Sequence, residues 1–256
     1  MIHPTAIVSP DARLATGVSI GAYSIVGANV EIGEETIIGS HVVIEGPTRI
    51  GRNNRFSPYS SIGGAPQDKK YANEPTTLEI GDGNTIREFC TFNRGTVQDA
   101  GSTRVGNDNW MMAYVHVAHD CQIGNHTIFA NNAQLAGHVI VGDYAILGGF
   151  TVVHQFVHIG MHSISAMGTI LLQDLPPYVT AAGNTARPFG INSEGLKRRG
   201  FTPNALASIK AAYKTLYKSG LTLEQARTAL AAQASTTSEL LPLVAFLQRS
   251  GRGIIR

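Results

Sequence analysis

The chain has 256 residues, with 20 lysines and arginines against 18 aspartates and glutamates, a formal charge of +2. That balance excludes the basic excess by which a protein holds nucleic acid through charge alone, and no apolar run nears the ~20 residues a membrane span needs. The 28 glycines and the 7% aromatic content favour a turn-rich β architecture over a helical one. Cys90 and Cys121 make neither a metal-ligand spacing nor a disulfide framework. The opening MIHPTAIVSP lacks the basic-then-apolar layout of a secretory signal, so a cytoplasmic location is the expectation.

From Ile2 an apolar residue returns every sixth position: Val8, Leu14, Ile20, Val26, Ile32, Ile38, Ile44, Ile50, Phe56 and Ile62. The register lapses at Asp68 and Glu74 and resumes in phase at Ile80, Ile86 and Phe92. It lapses again through RGTVQDAGSTR and returns one position out of phase, from Val105 and Met111 to Val153 and Ile159. Neither a helix nor a plain strand has this period. Short strands that each turn one aliphatic residue inward before a corner do have it, and three hexads close one triangular coil with a stacked aliphatic core. Glycine often follows the inward residue, and glycine or a small polar residue is expected to relieve strain at the corners. The pattern is similar to that of hexapeptide-repeat acyltransferases, and this resemblance implies a left-handed parallel β-helix. The two lapses, near 66–76 and 94–104, are expected to be loops leaving the coil, places where binding residues tend to sit.

The hexads fade after about residue 172. Thr202 followed by Pro203 starts a helix, with Leu206, Ile209, Tyr213 and Leu216 along one face. Thr222 and Gln225 form a capping-box pattern, and a last helix is expected over about Ser238 to Arg249. The division is therefore a β-helix over 1–186 and a small helical domain over 187–256.

Four of the nine histidines fall in HVAHDCQIGNHTIFANNAQLAGH, residues 116–138. Positions three hexads apart stack on adjacent coils, about 4.8 Å from each other. His119 then lies under Gly137 and Gly137 under Gln155, while Asp120 lies under His138. With His116 and His154 these form one cluster on one edge of the solenoid. His41, His126 and His162 fall outside it and read as surface residues; Asn125, Asn131 and Asn132 read as corners. The cluster admits two chemistries. Neutral imidazoles suit zinc, and some trimeric β-helix proteins hold zinc through three histidines to hydrate carbon dioxide. Alternatively, Asp120 orients His119 as a general base, and the Gly137 N–H faces a developing oxyanion. Those are the minimum parts for acyl transfer from a thioester to an alcohol.

HVAHDC, NNAQLAGHV, VHQF, QDKKY, NRGTVQ and EGLKRRGF together resemble the UDP-N-acetylglucosamine O-acyltransferase family, over essentially the whole chain. Members catalyse the first step of lipid A biosynthesis in Gram-negative bacteria. The resemblance implies a cytoplasmic homotrimer with active sites between subunits and no metal or other cofactor. It implies transfer of an (R)-3-hydroxyacyl group from acyl carrier protein to the glucosamine 3-hydroxyl of UDP-N-acetylglucosamine. His119 matches the family's base, Asp120 its orienting acid and Gly137 its oxyanion-hole glycine. Substrate-binding positions carry over to Gln67, Asp68, Lys70, His116, His138, His154, Gln155, Asn192, Glu194, Arg198 and Arg199, with Lys70 expected to reach a neighbouring copy's site. Met167 matches the position that limits acyl-chain length, where methionine goes with shorter chains. Two departures stand out: Asn93 replaces a histidine common in the family, and Lys69 replaces an apolar residue. Arg198 and Arg199 suit phosphate oxygens, and a basic rim would steer an acidic carrier protein.

A trimeric β-helix zinc carbonic anhydrase and another hexapeptide-repeat sugar acyltransferase are the rival readings. The sibling N-acyltransferase of lipid A synthesis carries an N-terminal uridine-binding domain, for which hexads starting at Ile2 leave no room.

Overall fold

The computed structural model describes residues 1–256. Strands of two to five residues form three sheets of nine, eight and ten strands, and each sheet takes every third strand in chain order, except that the last two strands of the chain both close the ten-stranded sheet. The pairing is parallel throughout, except that Arg187–Ile191 closes the ten-stranded sheet antiparallel to Val179–Ala182. This is a parallel β-helix with three faces. Each coil is three hexads long: Ile7 pairs with Ile25, Ile25 with Val43 and Val43 with Ser61. Ser61 pairs with Thr91, five hexads on. Thr91 pairs with His116, one position past four hexads. The first excursion thus adds two hexads' worth of chain and keeps the sequence phase, whereas the second adds one residue more than a hexad and shifts it by one.

The hexad residues from Ile20 to Ile159 form one buried cluster, each at most 4% exposed. Ile2 is 47% exposed and Val8 and Leu14 are half-buried, because no coil lies beyond the first. Inside the corners, polar side chains replace aliphatic ones and satisfy the turning backbone. Asn54 Oδ1 accepts from the Asn84 N–H at 2.8 Å, Asn84 Oδ1 from the Asn109 N–H at 3.0 Å, and Asn109 Oδ1 from the Thr127 N–H at 2.8 Å.

The corners correct the sequence-based account of glycine. From Asp108 to His162 every sixth residue has positive φ, and none of these is glycine: Asp108, Tyr114, Asp120, His126, Asn132, His138, Tyr144, Phe150, Phe156 and His162. Apart from Gly63, at φ +77°, the glycines that follow the inward residue have ordinary φ. A Cβ on Gly33 would lie 2.6 Å from the Gly51 carbonyl carbon of the next coil, so glycine there lets neighbouring coils approach. The left-handed corner residues stack instead, as in Tyr23, His41, Tyr59, Phe89 and Tyr114, with centroids 4.9–5.2 Å apart.

The chain then forms helices α1 (Ser193–Arg198), α2 (Pro203–Tyr217), α3 (Leu223–Ala234) and α4 (Leu241–Arg249). Thr202 Oγ1 caps α2 by accepting from the Ala205 N–H, and the Thr222–Gln225 capping box is formed at α3. Along α2, Ile209 and Leu216 are buried and Leu206 and Tyr213 half-buried. The last helix, expected from Ser238, begins as a 3₁₀ turn over Ser238–Leu240. Pro242 has no N–H to give Ser238, so an α ladder cannot start there. The C-terminal tail returns to the coil: Ser250 Oγ donates to the buried Asp174 at 2.6 Å, and the Ile255 N–H donates to the Asp174 carbonyl.

Candidate active site

The His119–Asp120 pair sits at a corner of the coil. Asp120 has φ +61°, a conformation that Asp and Asn tolerate better than most residues. Its carboxylate is fully buried. Oδ1 accepts from the Thr96 N–H at 2.8 Å, and Oδ2 accepts from Thr96 Oγ1 at 2.7 Å and from His119 Nδ1 at 2.8 Å. Burial opposes ionisation, but the bonds from His119 and Thr96 outweigh it and hold the carboxyl below its ordinary range. With Nδ1 donating to Asp120, the lone pair of a neutral His119 lies on Nε2.

Gly137 lies one coil further on. A Cβ there would be 2.6 Å from His119 Cε1 and 2.8 Å from Nε2. The ring therefore rests on bare backbone, and the requirement is for space rather than for unusual φ. The neighbouring His138 N–H donates to the His119 carbonyl at 3.0 Å, while the Gly137 N–H donates to no group of the chain.

Both excursions close over this corner. The first (65–76) is pinned by Asn93, whose Nδ2 donates to the Ala65 carbonyl at 2.9 Å, and by Arg94, which donates to the Gly63 carbonyl and to Tyr71 Oη. Asn93, where the family commonly has a histidine, is 7% exposed and holds that loop. The second brings Thr96 to Asp120 and Asp99 to His138. Between them opens a cleft of about 770 Å³ lined by Gln67, Asp68, Lys70, His119, His138 and Gln155 of the expected set, joined by Lys69, Gln98, Asp99 and Phe156. Lys70 thus lines its own chain's cleft.

The other expected residues are placed differently. His116 is half-buried on the strand His116–Val117, with Nδ1 2.7 Å from Thr91 Oγ1. Burial, and the positive charge His119 can carry, push its pKa down. His154 Nδ1 donates to the Gln155 carbonyl at 3.1 Å. Asn192, Glu194, Arg198 and Arg199 belong to another corner. Asn192 is 8% exposed; its Oδ1 caps α1 and its Nδ2 donates to the His162 carbonyl at 2.9 Å. Glu194 pairs with Lys197 at 2.8 Å, Arg198 is exposed, and the Arg199 guanidinium sits 4.1 Å over the Tyr144 ring. His162, expected on the surface, is 6% exposed, covered by Tyr178 and Phe201. Burial and then the Arg199 charge push its pKa down to about 4. Met167, 77% exposed, lies at the third corner beside Gly149.

As a metal site, the corner offers His119, Asp120 and His138, whose ligand atoms lie within 4.8 Å of one another. Three histidines do not converge. Asp120 is already occupied by Thr96 and His119, and His138 Nδ1 by Asp99.

Thr96, Asp99 and Thr103 escaped the sequence analysis. Thr103 Oγ1 accepts the Asp120 N–H at 2.8 Å. Coil arithmetic cannot reach residues inside or bordering an excursion. Phe156, stacked 4.3 Å from His138, lies one full coil from it and was within that arithmetic.

Residues 29–64 and 102–137 match the model of the bacterial transferase hexapeptide, which with this corner defines a hexapeptide-repeat acyltransferase. Residues 174–255 match the second domain of UDP-N-acetylglucosamine O-acyltransferase. Over 100% of this chain and 99% of theirs, the sequence is 58% identical to the acyl-[acyl-carrier-protein]–UDP-N-acetylglucosamine O-acyltransferase of Thiobacillus denitrificans and 56% identical to that of Neisseria gonorrhoeae. The structure superposes on LpxA from Acinetobacter baumannii with a TM-score of 0.98 at 46% identity, covering 100% of this chain and 99% of that one. It superposes on the Francisella novicida UDP-N-acetylglucosamine acyltransferase with a TM-score of 0.98 at 43% identity, covering 100% and 94%. The chain belongs to the UDP-N-acetylglucosamine O-acyltransferase family. No helix in it is long and apolar enough to cross a membrane.

Proposed function

We propose that His119 is the general base of a reaction moving an (R)-3-hydroxyacyl group from acyl carrier protein to the 3-hydroxyl of the glucosamine unit of UDP-N-acetylglucosamine, the first step of lipid A biosynthesis. The observation that carries the assignment is the 2.8 Å bond between His119 Nδ1 and the buried Asp120 carboxylate, which leaves Nε2 as the acceptor. Nε2 takes the hydroxyl proton as the oxygen attacks the thioester carbonyl. The new C–O bond forms, the carbonyl electron pair moves onto oxygen, and the Gly137 N–H donates to that oxyanion. Collapse breaks the C–S bond, and the imidazolium returns its proton to the departing thiolate. Asp120 orients the ring and stabilises its charged form. Lys70 and Lys69 offer the pyrophosphate cationic partners, with Gln67, Asp68, His138, His154, Gln155 and His116 around the sugar and acyl donor. In this reading His119→Ala lowers turnover by roughly 10²–10⁴-fold with little change in nucleotide-sugar binding. An acyl-transfer assay with near-parental turnover would remove His119 from the chemistry.

The same reading makes the molecule a homotrimer. Its parts occupy three different corners of the solenoid, on different coils: the His119 dyad at one, Asn192, Glu194, Arg198 and Arg199 at the second, Met167 at the third. Apposing copies bring different corners together, so that Arg198 and Arg199 meet phosphate groups in a neighbour's cleft and Met167 ends a neighbour's acyl groove. With acyl carrier protein and a nucleotide sugar as substrates, the reaction belongs in the cytoplasm. Sedimentation that found an active monomer would sink the shared site. Met167→Gly should shift preference from ten-carbon donors toward those of twelve and fourteen carbons, and an unchanged ranking of donors would deny Met167 that role.

A further inference from the structure

His138 is held from several directions. One ring face stacks on Phe156 with centroids 4.3 Å apart and planes 12° from parallel. The His119 ring meets it edge-on at 5.1 Å. Its Nε2 lies 3.8 Å from Asp120 Oδ2. All three contacts come from the coil. The fourth does not: Nδ1 lies 2.8 Å from Oδ2 of Asp99, at the tip of the second excursion. His138 is 13% exposed and Asp99 49%, so the bond joins a half-open loop side chain to a largely covered ring.

From this geometry we propose that Asp99 is a further positioning residue for acyl transfer: it accepts from His138 Nδ1, fixes which ring nitrogen faces the dyad, and ties the second excursion across the cleft. With Nδ1 donating to Asp99, Nε2 is the atom turned toward Asp120 and the reacting groups. The same excursion donates twice from Thr96 to Asp120, so one loop sets the orientation of both histidines, each through one carboxylate. The two carboxylates are not equivalent. Asp120 is buried and part of the coil, whereas Asp99 stands on a loop and is free to release its ring. Gln98, beside it, lines the cleft, so losing the Asp99 tie loosens the wall against which the nucleotide sugar packs. The inference rests on His138 acting in the proposed reaction, but the hydrogen bond can be read out without activity.

The test compares the parent protein with Asp99→Ala and Asp99→Asn, the second of which keeps an acceptor oxygen. Long-range proton–nitrogen spectra of the imidazoles, assigned with His138→Gln, should show the His138 Nδ1 signal displaced in Asp99→Ala and near its parental position in Asp99→Asn. In acyl-transfer assays, Asp99→Ala should raise KM for UDP-N-acetylglucosamine about threefold or more while turnover falls less. Asp99→Asn should stay within about twofold of the parent. If Asp99→Ala matches the parent in both measurements, the inference is wrong. Equal impairment of the two variants also overturns it, because the carboxylate would then act by its charge and not by holding the ring. A parent without transfer activity on this nucleotide sugar would instead count against the proposed reaction, with the imidazole signal still deciding the role of Asp99.

Discussion

His138 and His162 occupy equivalent corner positions of the coil, with φ of 63° and 57°, and each stacks on an aromatic ring of an adjacent coil, Phe156 at 4.3 Å and Tyr144 at 4.7 Å. Their surroundings divide them. Over His138 the chain carries two excursions that leave a cleft. Over His162 it carries the end of α1, with Arg199 on Tyr144 and Phe201 edge-on to the imidazole. One corner presents polar side chains to a ligand-sized space, and the other uses the same stack as a docking platform for the helical segment. The coil supplies regular positions; the segments that leave it decide which of them open onto a ligand-sized cleft.

The contrast breaks most sharply at Gly137. If the proposed catalytic corner depends on an imidazole resting on bare backbone, a single methyl group should disable it. Gly137→Ala places a carbon 2.6 Å from His119 Cε1, and because the crowded atoms belong to a ring tied to Asp120, the ring must tilt off that bond. Misplacement on the scale of 1 Å costs up to about 10²-fold, so turnover should fall about 10- to 100-fold with the fold intact by circular dichroism. Parental turnover would mean that the ring and the glycine are not coupled.

The buried corner should announce itself through acid sensitivity. The His162 pKa is pushed down to about 4 from an ordinary 6.5. Between those values the unfolded chain binds a proton that the native state does not, so stability falls as pH drops through that window. At about 1.4 kcal/mol per unit the full effect is on the order of 3 kcal/mol. His162→Phe keeps a flat ring for the stack and removes the titration. Denaturant midpoints between pH 6.5 and 4 should decline less steeply in the variant, and parallel declines would show that His162 titrates alike in the native and unfolded states.

Much of this was legible in the amino-acid order, for a definite reason. Each hexad buries one side chain, so the inward series from Ile20 to Ile159 carries the fold in plain view, and the lengths of the two excursions are recorded as kept and shifted phase. The stacking of His119 on Gly137 follows from the three-hexad coil alone. What could not be read lies where that spacing fails. Thr96 and Asp99 belong to an excursion, and Thr103 borders it, one position short of a full coil from Asp120. The burial of His162 depends on a helical segment whose docking no period encodes. Glycine was legible as a repeat but misread in cause, since a Gly recurring beside the inward residue looks the same whether it serves φ or the contact between coils.

The smallest effect should come from the platform under Arg199. The guanidinium lies 4.1 Å over the Tyr144 ring, between His126 and His162 in a stack with centroids 4.8 and 4.7 Å apart. Stacking on a ring face holds the planar cation in one orientation and leaves its edges free for hydrogen bonds. If Arg199 meets a phosphate group in a neighbour's cleft, the ring beneath it sets where that charge stands. The attraction is worth about 0.5–1 kcal/mol at a half-open site, which corresponds to about a two- to fivefold change in an equilibrium constant. Tyr144→Leu should therefore raise the apparent KM for one anionic substrate by about that factor and leave turnover nearly unchanged. Tyr144→Phe retains the ring face and should behave as the parent, because the hydroxyl plays no part in the contact. Were Tyr144→Leu to lower stability while leaving both Michaelis constants unchanged, Arg199 would belong wholly to the docking of α1, and the two corners would share geometry but no chemistry.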